Sequence, residues 1–296
     1  MNPQKNPFTG VCTALITPFQ PDGSPDLDAL ARLIEGQIAA GVDALLLLGT
    51  TGESATVTDG ERLRLIRRAV DAVAGRVPLV VGTGSNATAR AVELSRSAEE
   101  NGCDAVLVVT PYYNRATPAG LIRHLTVVAD AVRCPVILYN VPSRTGVDLT
   151  PAVCRELAAH PRIFGIKEAS GKIDRIADLC ADGSLAVYAG CDGEAIPAFS
   201  LGASGVISVL SNLFPAEVAA MWRAWRAGER AEALRIQTDY LPLVRALFSE
   251  VNPIPVKTAA GMLGLCADTL RLPLCPMAAE NREKLAAALE RVRERR

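Results

Sequence analysis

The chain carries almost no net charge. Its 31 Lys and Arg residues face 32 Asp and Glu, for a formal charge of −1. A nucleic acid or an anionic membrane surface therefore finds no electrostatic partner here. Histidine is nearly absent: His124 falls mid-helix and His160 at a helix end, and neither belongs to a metal-ligand or triad arrangement. No apolar run reaches the roughly 20 residues of a membrane span. The opening MNPQKNPFTG lacks the apolar core of a signal peptide. The eight cysteines include no CxxC pair. That argues against a zinc site or a disulfide framework and for free buried thiols in a reduced cytoplasm. Lysine is also scarce, with only Lys5, Lys167, Lys172, Lys257 and Lys284 among 296 residues.

What is there is a repeating strand and helix. Eight short apolar runs stand out: VCTALITPF from Val11, ALLLLG from Ala44, VPLVVGTG from Val77, AVLVVTP from Ala105, VILYNVP from Val136, IFGIKEAS from Ile163, AVYAGCD from Ala186 and GVISVL from Gly205. Continuous β-branched runs mark strands of a parallel sheet covered on both faces. Amphipathic helices lie between them. One has Thr58 and Glu61 spaced as a capping box, and another has Thr150 as cap with Pro151 behind it. The pattern predicts an α/β fold, a (β/α)8 TIM barrel over residues 1–228 closed by the helix PAEVAAMWRAWRAG. Residues 229–296 read as a C-terminal helical extension, broken at EVNPIPVK and packed on the barrel.

An open doubly wound sheet is the alternative. GTGSNA, at Gly82, Gly84 and Ala87, fits the glycine fingerprint of dinucleotide folds. The acidic residue that should end the next strand is missing, since that strand ends VVTP. We read these glycines as a tight turn, with Asn86 or Thr88 capping the following helix.

In a barrel of this kind the chemistry sits at the C-terminal strand ends. Lys167 interrupts the apolar run IFGIKEAS where Val or Ile is expected. An unpaired buried ammonium is costly, so a lysine there needs an explanation. Gly165, Lys167 and Ala169 share one face of the strand and leave room around the amine. An amine in an apolar pocket is a usable nucleophile toward carbonyl carbon, through a Schiff base. Pairing with Glu168 is the plain alternative, but adjacent strand residues point to opposite faces. Lys257, after NPIPV, is the only rival lysine and reads as structural. Tyr139 ends the neighbouring strand, about 4.8 Å away, where its phenol is placed to shuttle protons. GTTGES presents backbone amides suited to a carboxylate. Arg144 offers a planar fork to a second carboxylate. A core tyrosine, an ordinary turn and a surface arginine are the plain readings of those three.

GTTGESAT, TPYYNR, YNVPSRTG, GIKEASG and NPIPVK together resemble the dihydrodipicolinate synthase family, within the N-acetylneuraminate lyase group of pyruvate-dependent class I lyases and aldolases. The resemblance runs from Phe8 to about Thr269. It implies a lyase on a (β/α)8 barrel in which Lys167 forms an imine with pyruvate. Tyr139 would shuttle protons, relayed through Thr50 to Tyr113 from a neighbouring subunit. Thr50 and Thr51 would hold the pyruvate carboxylate, with Ile207 and Gly190 lining the pocket. Arg144 would receive the carboxylate of L-aspartate 4-semialdehyde, giving 4-hydroxy-tetrahydrodipicolinate for diaminopimelate and lysine synthesis. No organic cofactor or metal is implied, and the implied assembly is a homotetramer, a dimer of dimers. The feedback site of lysine-inhibited members corresponds to Ser54, Ala55, Asp59, Arg62, Asn86, Arg90 and Tyr112. Arg90 stands where those members carry glutamate, and neither Asp59 nor Arg62 is the histidine they carry, so lysine insensitivity is expected. A sugar-acid lyase and a non-catalytic binder on the same scaffold remain the alternatives.

Overall fold

Strands rich in Val, Leu and Ile pair in order around a ring in the computed structural model, which describes residues 7–294. Lys5 lies outside the described residues. The strands are β1 (Gly10–Ala14), β2 (Ala44–Leu47), β3 (Leu79–Gly82), β4 (Ala105–Val109), β5 (Val136–Asn140), β6 (Ile163–Glu168), β7 (Ala186–Ala189) and β8 (Gly205–Ser208). All neighbours are parallel, and β8 returns to β1 to close the barrel. The predicted TIM barrel is the observed fold. The first strand is shorter than its apolar run: past Ala14 the Ile16 amide turns to Asn212 Oδ1, and the Phe19 ring lies against Lys257 of the C-terminal segment.

Helices α1 (Leu27–Ala39), α2 (Asp59–Val73), α3 (Thr88–Glu100) and α4 (Pro118–Asp130) cover the first half of the barrel. A short α5 (Pro142–Thr145) precedes α6 (Pro151–Ala158), α7 (Ile173–Asp182), α8 (Ala195–Ser200) and α9 (Pro215–Ala227). The Thr58 and Glu61 capping box and the Thr150 cap form as expected. The cap of α3 does not. Ala87 occupies that position without a side-chain bond, and neither Asn86 nor Thr88 caps the helix. Gly82 and Gly84 serve close approach rather than a turn. A Cβ on Gly82 would sit 2.2 Å from the Leu48 carbonyl oxygen, and one on Gly84 would sit 2.5 Å from the Val109 nitrogen.

Alternating side chains split the core in two. Cys12, Leu46, Val80, Leu107, Ile137, Tyr188 and Ile207 fill the barrel interior. Leu45, Leu47, Val81, Val108, Leu138 and Ile166 point out to the helices. Phe8 plugs the N-terminal end, where it stacks on Tyr188 at 4.4 Å and accepts the Tyr188 hydroxyl through its carbonyl.

The tail forms α10 (Arg230–Leu247), α11 (Ile254–Met262) and α12 (Ala279–Arg293), with the expected break before Ile254. It is not all helix, since residues 263–278 run irregularly. Arg271 in that stretch bonds Glu61, Gly23 and Thr56, which ties the tail to the β2 side of the rim.

Candidate active site

One irregularity sets the centre of the site. Val136 pairs with Ile163, but Ile137 pairs with Gly165, so β6 carries one extra residue, Phe164. From there Tyr139 stands opposite Lys167 and both point inward. Without the bulge Tyr139 would face Ile166 and the lysine would leave its register. On the other side Lys167 pairs with Tyr188 of β7. Lys167 is 5% exposed, and its Nζ lies 4.7 Å from the centre of the Tyr139 ring. Among the described residues no carboxylate pairs with it. Tyr139 thus stands beside the amine with its ring face toward it.

Glu168 points the other way and makes its own bonds, to Asn140 Nδ2 at 2.9 Å and the Ser170 amide at 2.7 Å. Asp192, buried just after β7, accepts from Ser208 Oγ at 2.5 Å and from the amides of Val209 and Leu210. Burial pushes its carboxyl up and those donors pull it back. It fixes the end of β8 next to Ile207, which is fully buried on the inner face. Gly190 lets β7 approach β6, because a Cβ there would sit 2.5 Å from the Ala169 Cβ.

Thr50, Tyr139, Val141 and Arg144 line a cavity of about 490 Å³ at the C-terminal mouth of the barrel. The GTTG segment forms a tight turn over Thr50–Gly52. Two amides expected to face an anion are spent inside it, Gly52 on the Gly49 carbonyl and Glu53 on that of Thr50. Thr51 is buried, and its Oγ1 accepts from Asn252 Nδ2 at 3.0 Å. That leaves the Thr51 hydroxyl proton free to donate. Arg144 Nη2 donates to the Asn252 carbonyl at 3.1 Å. Asn252 therefore joins the two residues expected to hold the two carboxylates. Behind them the fully buried Lys257 Nζ meets Glu53 Oε1 at 2.6 Å. Lys257 is structural, as its sequence context indicates, and burial draws its pKa below the usual lysine value. Sequence reasoning missed Glu53, Asn252 and Asp192.

Tyr113 is not brought into this cavity. It is 90% exposed, on a loop where its φ is +77°. Of the residues expected at a feedback site, Ser54, Ala55, Arg62, Arg90 and Tyr112 line the same cavity, and Asp59 lines a smaller one of about 140 Å³ beside it. Asn86 is exposed and lines neither. Among the described residues no His, Cys, Asp and Glu cluster is arranged to hold a metal, and no helix is long and apolar enough to cross a membrane.

Cys191 stands beside the site as a half-buried thiol. Burial first, then the Glu194 and Asp192 carboxylates, push its pKa up to about 12. It is expected to resist alkylation at neutral pH, since the thiolate is the reactive form. Peptide mapping after iodoacetamide treatment of the folded protein checks this, and rapid labelling at Cys191 would contradict it.

The sequence profile of the dihydrodipicolinate synthetase family matches residues 7–292. The chain belongs to this family. Among its relatives, the 4-hydroxy-tetrahydrodipicolinate synthase of Exiguobacterium sp. is 49% identical over 289 residues, covering 97% of this chain and 99% of the relative. That of Geobacter metallireducens is 47% identical over 286 residues, covering 96% and 98%. A solved 4-hydroxy-tetrahydrodipicolinate synthase from Methylacidiphilum fumariolicum SolV superposes with a TM-score of 0.95 at 43% identity, covering 97% of this chain and 96% of that one. As a member of the dihydrodipicolinate synthetase family, the chain shares its fold with that solved enzyme over 97% of its length.

Proposed function

We propose that the chain is a 4-hydroxy-tetrahydrodipicolinate synthase, a lyase that condenses pyruvate with L-aspartate 4-semialdehyde in diaminopimelate and lysine synthesis. The observation that carries this is Lys167, buried without a carboxylate partner and in register with Tyr139 at the mouth of the barrel. The Lys167 amine adds to the pyruvate carbonyl, and loss of water gives the imine. Removal of a methyl proton gives the enamine, with the imine acting as the electron sink that a cofactor or metal would otherwise supply. The enamine carbon attacks the aldehyde, and the substrate's amine then displaces Lys167 as the ring closes.

In this reading the free Thr51 proton holds the pyruvate carboxylate, with Thr50 beside it and Ile207 and Gly190 shaping the pocket. Arg144 takes the carboxylate of the semialdehyde. Tyr139 moves protons through Thr50 to Tyr113. The exposed Tyr113 loop reaches a second copy, so the active unit is at least a dimer and, in full, a tetramer built as a dimer of dimers. The enzyme works in the cytoplasm, where its thiols stay reduced. Turnover assays with pyruvate plus the semialdehyde, beside cleavage assays with N-acetylneuraminate and keto-deoxy-gluconate, test the reading. Pyruvate consumption that needs the semialdehyde supports it. Pyruvate release from a sugar acid alone overturns the assignment of Arg144.

Lysine is expected to leave this activity nearly unchanged. Arg62 places a positive charge where a cationic effector would sit, and Arg90 stands there in place of a carboxylate that would attract one. A lysine titration of the initial rate checks this, and strong inhibition at sub-millimolar lysine would contradict it.

A further inference from the structure

Arg62 presents a charge that the described structure leaves without a counter-ion. It lies in the first turns of α2 and is only 7% exposed. Its guanidinium donates to two neutral carbonyls, Gly82 at 2.6 Å and Ser54 at 3.4 Å. Asp59, one turn before it, instead pairs with Arg90, which also meets Glu93 at 2.8 Å. Arg90 is thus neutralised twice and Arg62 by no ion pair among the described residues. Burial first, and then the charge of Arg90, lower the Arg62 pKa to about 10, so it remains a cation at neutral pH. Buried charges are normally paired, because leaving one unpaired in low dielectric is costly.

The surroundings favour an anion as the missing partner. Arg62 and Arg90 line one end of the 490 Å³ cavity with Ser54, Ala55, Ser85 and Tyr112. The acid on that cavity's lining is Glu53, and Lys257 already neutralises it. Only two of the five guanidinium N–H donors of Arg62 are engaged by the hydrogen bonds above, and a planar fork suits the oxygens of a carboxylate or phosphate. The nearby acids, Asp59 and Glu93, are turned to Arg90.

We propose that the Arg62 end of this cavity is a binding site for a small oxyanion, separate from the Arg144 end. The inference does not depend on which aldehyde the enzyme uses. It goes beyond insensitivity to lysine, because it assigns the same end of the cavity a ligand of the opposite charge.

Isothermal titration of the full chain in chloride-free buffer tests it, with inorganic phosphate and malonate as separate probes. The wild type should bind at least one of them, and the tighter binder shows whether the site takes a phosphate or a carboxylate. Arg62→Gln should weaken that binding by at least about tenfold, the scale of one charge-assisted hydrogen bond. Arg144→Gln should weaken it by less than about threefold. Equal binding by Arg62→Gln and wild type overturns the proposal, as does loss only in Arg144→Gln or no binding of either probe up to about 20 mM. Circular dichroism establishes that each variant is folded. Where Arg62→Gln does not fold, Arg90→Gln decides. It leaves Asp59 and Glu93 unpaired beside the site, so weaker binding supports the proposal and unchanged binding overturns it.

Discussion

Lys167→Ala is expected to lower turnover by on the order of a thousandfold or more, as removal of a covalent nucleophile does. It should also abolish trapping of pyruvate by borohydride. Among the described residues no substitute amine faces the Tyr139 ring. Lys257 is the other lysine near the cavity, but its Nζ is fully buried and held by Glu53 at 2.6 Å. The same substitution should not cost stability. It removes a buried polar amine that has no carboxylate partner among the described residues and sits over an aromatic ring at 4.7 Å. A nucleophile kept in such a place trades stability for function. The melting temperature of Lys167→Ala is therefore expected to equal or exceed that of the wild type. Residual activity above about a tenth, or a pyruvate adduct mapped to another lysine, would defeat the assignment.

The lysine was visible in the sequence because it breaks a pattern. IFGIKEAS is apolar on both faces until position 167, and local periodicity suffices to expose a misfit of that kind. The eight strands were legible for the same reason, and the two caps at Thr58 and Thr150 because their partners lie three residues away. What could not be read depends on distant pairing. The bulge at Phe164 that aligns Lys167 with Tyr139 leaves no mark in composition, since Phe reads as an ordinary strand residue. Glu53 and Lys257 are 204 positions apart, and Asn252 and Thr51 are 201 apart. GTTGES read as a source of free amides because sequence does not show which amides the turn itself consumes. Arg62 likewise read as one more helix arginine, and only the packing of α2 against β3 reveals where its charge points.

Those long-range pairs make the C-terminal segment part of the site. Glu53 follows the Thr50–Gly52 turn and has a left-handed backbone, φ +52°, which a residue other than glycine rarely adopts. Its carboxylate is held on one side by Lys257 and on the other by the Arg271 amide at 3.1 Å. The Phe19 ring lies against both cations, 4.2 Å from Lys257 Nζ and 4.3 Å from the Arg271 guanidinium. Tail residues thus fix the conformation of the turn that carries Thr50 and Thr51.

Lys257→Met should consequently be among the most destabilising single changes outside the apolar core. It leaves the Glu53 carboxylate buried without its cation, and breaking one side of a buried pair costs about 3–5 kcal/mol. For a chain of this size that is roughly a 10 °C fall in melting temperature. The pyruvate KM should rise as well, because the turn that presents Thr51 loses its anchor. Replacing both partners separates the two effects. Lys257→Met with Glu53→Gln removes the orphaned charge, so much of the lost stability should return. The KM should stay high, since the neutral amide no longer draws the tail onto the turn. Melting curves and pyruvate kinetics on the two variants decide the matter. A Lys257→Met protein that melts within about 2 °C of the wild type would show that Lys257 carries little of the fold. A double variant as unstable as the single one would show that the cost lies in packing around Phe19 rather than in the unpaired carboxylate.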